Sequence, residues 1–160
     1  MTRRLICAAA IAGLLATGPV PAMAQPLASA GYRVVPSTLP FVQLEESAKA
    51  AIAKNGMNLV NRASASDGAK GRGVTIRGDA VLGVFRNDFA VRMLAANVDA
   101  GIEAPIRLHL VEEPDGTSSI RYYLPSAVFA PYASAAVTAV GRDLDGVFEQ
   151  IVTEAVQARK

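Results

Sequence analysis

His109 is the only histidine in the sequence. It stands two residues after Arg107 in a stretch where Ile106, Leu108 and Leu110 alternate with Arg107, His109 and Val111. An imidazole can move protons near neutral pH or ligate a metal, and a guanidinium offers a planar fork to carboxylate or phosphate. If the chain turns back at Glu113-Pro114-Asp115-Gly116 so that Glu113 faces Thr117, His109 comes near Arg121 and Arg107 near Tyr123. Two guanidinium groups, an imidazole and a phenol then share one face of a hairpin. Such a patch suits recognition of a small anion, with Arg107, His109, Arg121, Tyr122 and Tyr123 as contacts and Asn87 as a further candidate. The plainer reading is a solvated sheet face, or a dimer interface in which these groups pair with acids such as Glu103, Glu112 or Asp99.

Other chemistries find less support. A metal site needs three or four convergent donors, and no second histidine stands beside His109. Gly68-Ala69-Lys70-Gly71-Arg72-Gly73-Val74-Thr75 has the glycines of a phosphate loop, but Val74 occupies the place where that motif puts lysine, so a flexible loop is expected. Ser64, Ser66, Ser118 and Ser119 lie in no Gly-x-Ser-x-Gly elbow. Glu45, Glu46, Glu112, Glu113, Asp143 and Asp145 read as solvated carboxylates on helix faces or a turn. No catalytic residue, metal or cofactor is assigned.

The N-terminus reads as a secretory signal over residues 1–24. Arg3 and Arg4 precede an apolar stretch from Leu5 to Ala16, Pro19 and Pro21 break it short of a membrane span, and Ala22-Met23-Ala24 is a small-x-small cleavage site. The expected location is periplasmic or secreted, with no membrane span after cleavage. The full chain holds 16 basic and 14 acidic residues; removing the signal takes two arginines and no acid, leaving a charge-balanced domain. A neutral domain without a basic run offers nothing to phosphate backbones, which excludes nucleic acid as an expected partner. The single cysteine, Cys7, lies in the signal. Its loss excludes disulfides, thiolate catalysis and thiolate-held clusters.

The elements that must position these groups follow from periodicity. Residues 25–31 are expected to be a flexible leader, and 32–160 a single α+β domain. Strands are expected at Tyr32–Val35 (stopped by Pro36), Met57–Val60, Ala80–Arg86, Ile106–Val111 and Ser118–Leu124. Helices are expected at Phe41–Asn55, with Leu44, Ala48, Ala51 and Ile52 inward; at about Asp88–Val98, capped by Asn87 or Asp88, with Phe89, Met93 and Ala96 inward; and at Ala135–Gln157. In the last of these, Val140, Leu144, Val147, Phe148, Ile151 and Ala155 form a stripe that belongs to the core. Residues 62–73 read as the least ordered internal stretch, and Pro125–Tyr132 as a loop or short turn. The order β-α-β-β-α-β-β-α implies a two-layer sandwich, a mainly antiparallel sheet with helices on one face.

The stretch Ala104-Pro105-Ile106-Arg107-Leu108-His109-Leu110-Val111-Glu112-Glu113-Pro114-Asp115-Gly116, with Tyr122 three residues before Pro125, resembles the bacterial domain-of-unknown-function family 302. Lys54-Asn55-Gly56 before a strand and Phe85-Arg86-Asn87-Asp88 are similar to further family patterns. The chain departs from the family at Ala63-Ser64-Ala65-Ser66, where members carry an Asp-His pair, and at Leu124, where they carry Asp. The resemblance implies a compact two-layer domain often seen as a homodimer, and no activity.

These readings favour a non-enzymatic exported binding or interaction domain that self-associates as a homodimer through an exposed sheet face or edge. Two alternatives stand beside it: a sensor or carrier of a small anionic or apolar ligand held between the sheet and the helices, with Arg107, Arg121, Tyr122 and Tyr123 as contacts, and an enzyme whose site is completed across a dimer.

Overall fold

The computed structural model describes residues 31–157. The expected signal at 1–24 and almost all of the leader lie outside the described residues. Strand β1 (Tyr32–Ser37) leads into helix α1 (Phe41–Lys54), strand β2 (Asn58–Ser64), a short helix α2 (Ala65–Lys70), strand β3 (Asp79–Phe85) and helix α3 (Asn87–Ala96). A 3₁₀ segment (Val98–Glu103) follows, then strands β4 (Ile106–Glu112) and β5 (Ser118–Tyr123), a short helix α4 (Pro125–Phe129) and the long helix α5 (Ala135–Gln157).

The five strands form one sheet in the order β1-β5-β4-β3-β2, antiparallel at every junction. Its inner face carries Leu82, Val84, Ile106, Leu108, Leu110, Ile120 and Tyr122, all buried. They pack in one core with Leu44, Ala48 and Ile52 of α1, Phe89 and Met93 of α3, and Val140, Leu144, Phe148 and Ile151 of α5. Strand alternation sends every second residue to the opposite face. Val34, Val81, Arg107, His109, Arg121 and Tyr123 therefore stand on the outer face, where no long helix packs. This is the expected two-layer arrangement of an antiparallel sheet with helices on one side.

The hairpin keeps the expected register, with His109 opposite Arg121 and Glu112 opposite Ser118. Gly116 closes its turn at φ +83°, a value that suits a residue without a Cβ, and the Gly116 amide donates to the Glu113 carbonyl at 3.1 Å.

Several local expectations are corrected. Strand β1 runs through Pro36 to Ser37; it is an edge strand, where a residue lacking N–H is tolerated. Residues 62–73 are ordered: β2 continues to Ser64, whose hydroxyl accepts from the Asp67 amide and so caps α2. Pro125–Phe129 is helical, started by a proline whose missing N–H costs nothing in a first turn. Neither Asn87 nor Asp88 caps α3. Arg86 occupies the cap position without a side-chain cap bond, and Asp88 instead receives the Arg86 guanidinium at 2.7 and 3.1 Å. Ala96, expected inward, is exposed.

Glu45 overturns its reading as a solvated carboxylate, for only 5% of it is exposed. Arg62 of β2 donates to both of its oxygens, at 2.6 and 2.9 Å, and Lys49 lies 2.7 Å away. These cations hold the Glu45 carboxyl below its ordinary range, the Arg62 hydrogen bonds contributing most and burial opposing them.

Candidate functional site

A cavity of about 310 Å³ opens where the outer face meets the hairpin. Strand β5 supplies Arg121 and Tyr123, β4 supplies Arg107 and His109, and the neighbouring strands β3 and β1 supply Val81 and Tyr32. Antiparallel pairing brings them side by side, because Val81 faces His109, His109 faces Arg121 and Tyr32 faces Tyr123. The Tyr32 and Tyr123 rings lie tilted with centroids 5.1 Å apart. Glu103, Ile106 and Val128 also line the cavity.

Two of its three basic groups are already paired. His109 Nε2 lies 2.8 Å from Asp79 Oδ2. Arg121 donates to Glu113 Oε1 at 2.8 Å and to Ser119 Oγ at 3.2 Å, while Ser119 itself donates to the same Glu113 oxygen at 2.6 Å. The Ser119 hydroxyl, and then the Arg121 guanidinium, hold the Glu113 carboxyl below its ordinary range. Arg107 is exposed, and among the described residues it has no acidic partner.

Five of the six sequence-predicted contacts line this cavity, but not in the same way. Arg107, His109, Arg121 and Tyr123 share the outer face. Tyr122 alternates to the inner face, where its ring packs 6.4 Å from that of Phe148, and burial, with the charge of Glu149 second, raises its phenol above the ordinary value. The tyrosines that line the cavity from the outer face are therefore Tyr123 and its partner Tyr32. Asn87 does not join the site; it lies exposed at the start of α3 and is not among the lining residues.

Asp79, Val81, Tyr32 and Val128 escape the sequence reading, which named Glu103 only as an acid for pairing at a dimer interface. The first three become neighbours of the hairpin only through the strand order. Glu103 lies in the 3₁₀ segment, where its Oε1 accepts from the Tyr132 hydroxyl at 2.9 Å. Burial first, and this bond second, raise the Tyr132 phenol above its usual value.

The arrangement holds better than it reacts. His109 hydrogen-bonds Asp79, but no serine or threonine hydroxyl bonds the imidazole among the described residues. Ser64 donates to the Asp79 carbonyl at 3.1 Å and Ser66 accepts from the Asp79 amide at 3.2 Å, so both fix the start of β3. The pieces of a nucleophile–base–orienter chain are thus not assembled. Among the described residues no group of three or more His, Cys, Asp or Glu side chains is placed to hold a metal ion, and no helix is long and apolar enough to cross a membrane.

A five-stranded antiparallel sheet backed on one face by helices, with a cavity lined by Arg107, His109 and Arg121 at its other face, defines an α+β sandwich. The family model "Domain of unknown function DUF302" matches residues 33–151, and the chain belongs to that family. A crystal structure of an uncharacterized conserved DUF302 protein from Bacillus stearothermophilus is similar at a TM-score of 0.72 and 16% identity, covering 79% of this chain and 99% of that one. At that identity the likeness concerns the fold. No curated protein matches the chain.

Proposed function

We propose that this is an exported, non-enzymatic domain that holds a small ligand bearing a carboxylate in the outer-face cavity. One observation carries the reading: Arg107 is an exposed guanidinium with no acidic partner among the described residues, at a mainly apolar-walled cavity of about 310 Å³, the lower end of ligand-pocket size. Tyr32, Tyr123, Val81, Ile106 and Val128 supply apolar surface, and the guanidinium fork supplies orientation. Export is supported by the basic, apolar and small-x-small order of residues 1–24.

The test is calorimetric titration with 4-methylpentanoate and 3-phenylpropanoate, alongside native mass spectrometry of protein purified from its own cells. Arg107→Ala is expected to weaken binding by about 1–3 kcal/mol and to abolish any co-purified small molecule. Affinity unchanged by Arg107→Ala, or no binding of either probe or of a zwitterionic carboxylate such as L-leucine, would reject the reading.

Self-association is a second reading, favoured by Val34 and Tyr123, which are 52% and 40% exposed on the same bare face. Both edge strands, β1 and β2, also lack a partner on one side. A dimer in the native spectrum that Val34→Arg converts to monomer supports it, and a monomeric parent protein rejects it.

A further inference from the structure

Two charged groups at the cavity have no acid–base partner among the described residues. Arg121 is answered by Glu113 and His109 by Asp79. Arg107 and Glu103 remain, one of each sign, lining the same cavity without forming an ion pair with each other. Glu103 is half-buried. Its Oε1 takes the Tyr132 hydroxyl, while Oε2 has no hydrogen-bond donor among the described residues. A half-buried carboxylate with one oxygen unclaimed repels a simple carboxylate ligand and attracts a cation.

We infer that the ligand is a zwitterion, a free α-amino acid with an apolar side chain. Its carboxylate sits on Arg107, its ammonium donates to Glu103, and its side chain lies against Tyr32, Tyr123, Val81 and Val128. This rests on the carboxylate-holding reading above and narrows it. A monoanion would satisfy Arg107 but leave Glu103 facing it. A monocation would do the reverse. A zwitterion satisfies both groups, with no net charge carried into an apolar-walled site. The cavity's small volume suits a single amino acid.

The experiment is calorimetric titration of the purified protein with L-leucine, with 4-methylpentanoate, which lacks the ammonium, and with 3-methylbutylamine, which lacks the carboxylate. L-Leucine is expected to bind at least about tenfold more tightly than either analogue, the scale of one charged hydrogen bond. Glu103→Gln keeps an acceptor for Tyr132 and is expected to bring leucine and 4-methylpentanoate to equal affinity, while Arg107→Gln loses both. Equal affinity of the parent protein for leucine and 4-methylpentanoate, or a leucine preference that survives Glu103→Gln, would overturn the zwitterion and leave carboxylate binding standing. Failure of all three compounds to bind would overturn both. Should Glu103→Gln not fold, the three-compound comparison on the parent protein still decides.

Discussion

His109 and Asp79 are tied diagonally across two neighbouring strands, Nε2 to Oδ2 at 2.8 Å. Asp79 pairs in register with Val111 and His109 with Val81, so the bond crosses the ladder at a slant on the bare face of the sheet. It fixes the imidazole beside Arg121 and occupies one ring nitrogen.

Both side chains of that pair are about one-third exposed, at 38% and 34%. Solvent then screens most of the attraction, and Asp79→Ala is expected to cost less than about 1 kcal/mol in urea unfolding. A loss above about 2 kcal/mol would mean that the pair behaves as a desolvated one.

Glu45 sets a pH dependence with a definite sign. Its folded pKa is lowered, chiefly by the Arg62 hydrogen bonds. The pair therefore stabilises the fold above the ordinary glutamate value of 4.5 and loses that contribution as pH falls through it towards the depressed folded value. Arg62→Met is expected to cost about 2 kcal/mol near neutral pH and distinctly less in acid. Urea midpoints of the two proteins measured across that range would contradict this if their separation stayed constant.

Helix α5 contains two glycines with opposite prospects. A Cβ on Gly141 would meet the backbone of α4, 2.8 Å from Ser126 Cα and 3.2 Å from Ser126 N, whereas a Cβ on Gly146 meets nothing within 4 Å. Gly146→Ala is expected to stabilise by about 1 kcal/mol through helix propensity. Gly141→Ala is expected to destabilise by about 1–2 kcal/mol despite the same gain, because the backbone it strikes cannot swing aside. Thermal melts of the two variants shifting in the same direction would refute the close approach of α4 to α5.

What could be read from the sequence was whatever depends on neighbours along the chain. The Glu113-Pro114-Asp115-Gly116 turn fixed the hairpin register, and through it the meeting of His109 with Arg121. The stripe on α5 gave that helix its full length. Tyr122 could have been placed too, since strict alternation puts it opposite Arg121 and Tyr123. What escaped depends on partners distant in sequence. Pro36 looks like a strand stop until β1 is known to be an edge. Glu45 looks solvated until Arg62 arrives from another strand. Val81 and Asp79 enter the site only because β3 lies beside β4. The glycine-rich stretch after Arg62 looked unstructured on composition, yet one capping hydroxyl, that of Ser64, was enough to start a helix.

Tyr32 is the first residue of β1, and the ring it packs against, Tyr123, ends β5. One wall of the cavity thus leaves the ribosome near the beginning of synthesis and its counterpart near the end. Until both have emerged, that side of the cavity has no wall.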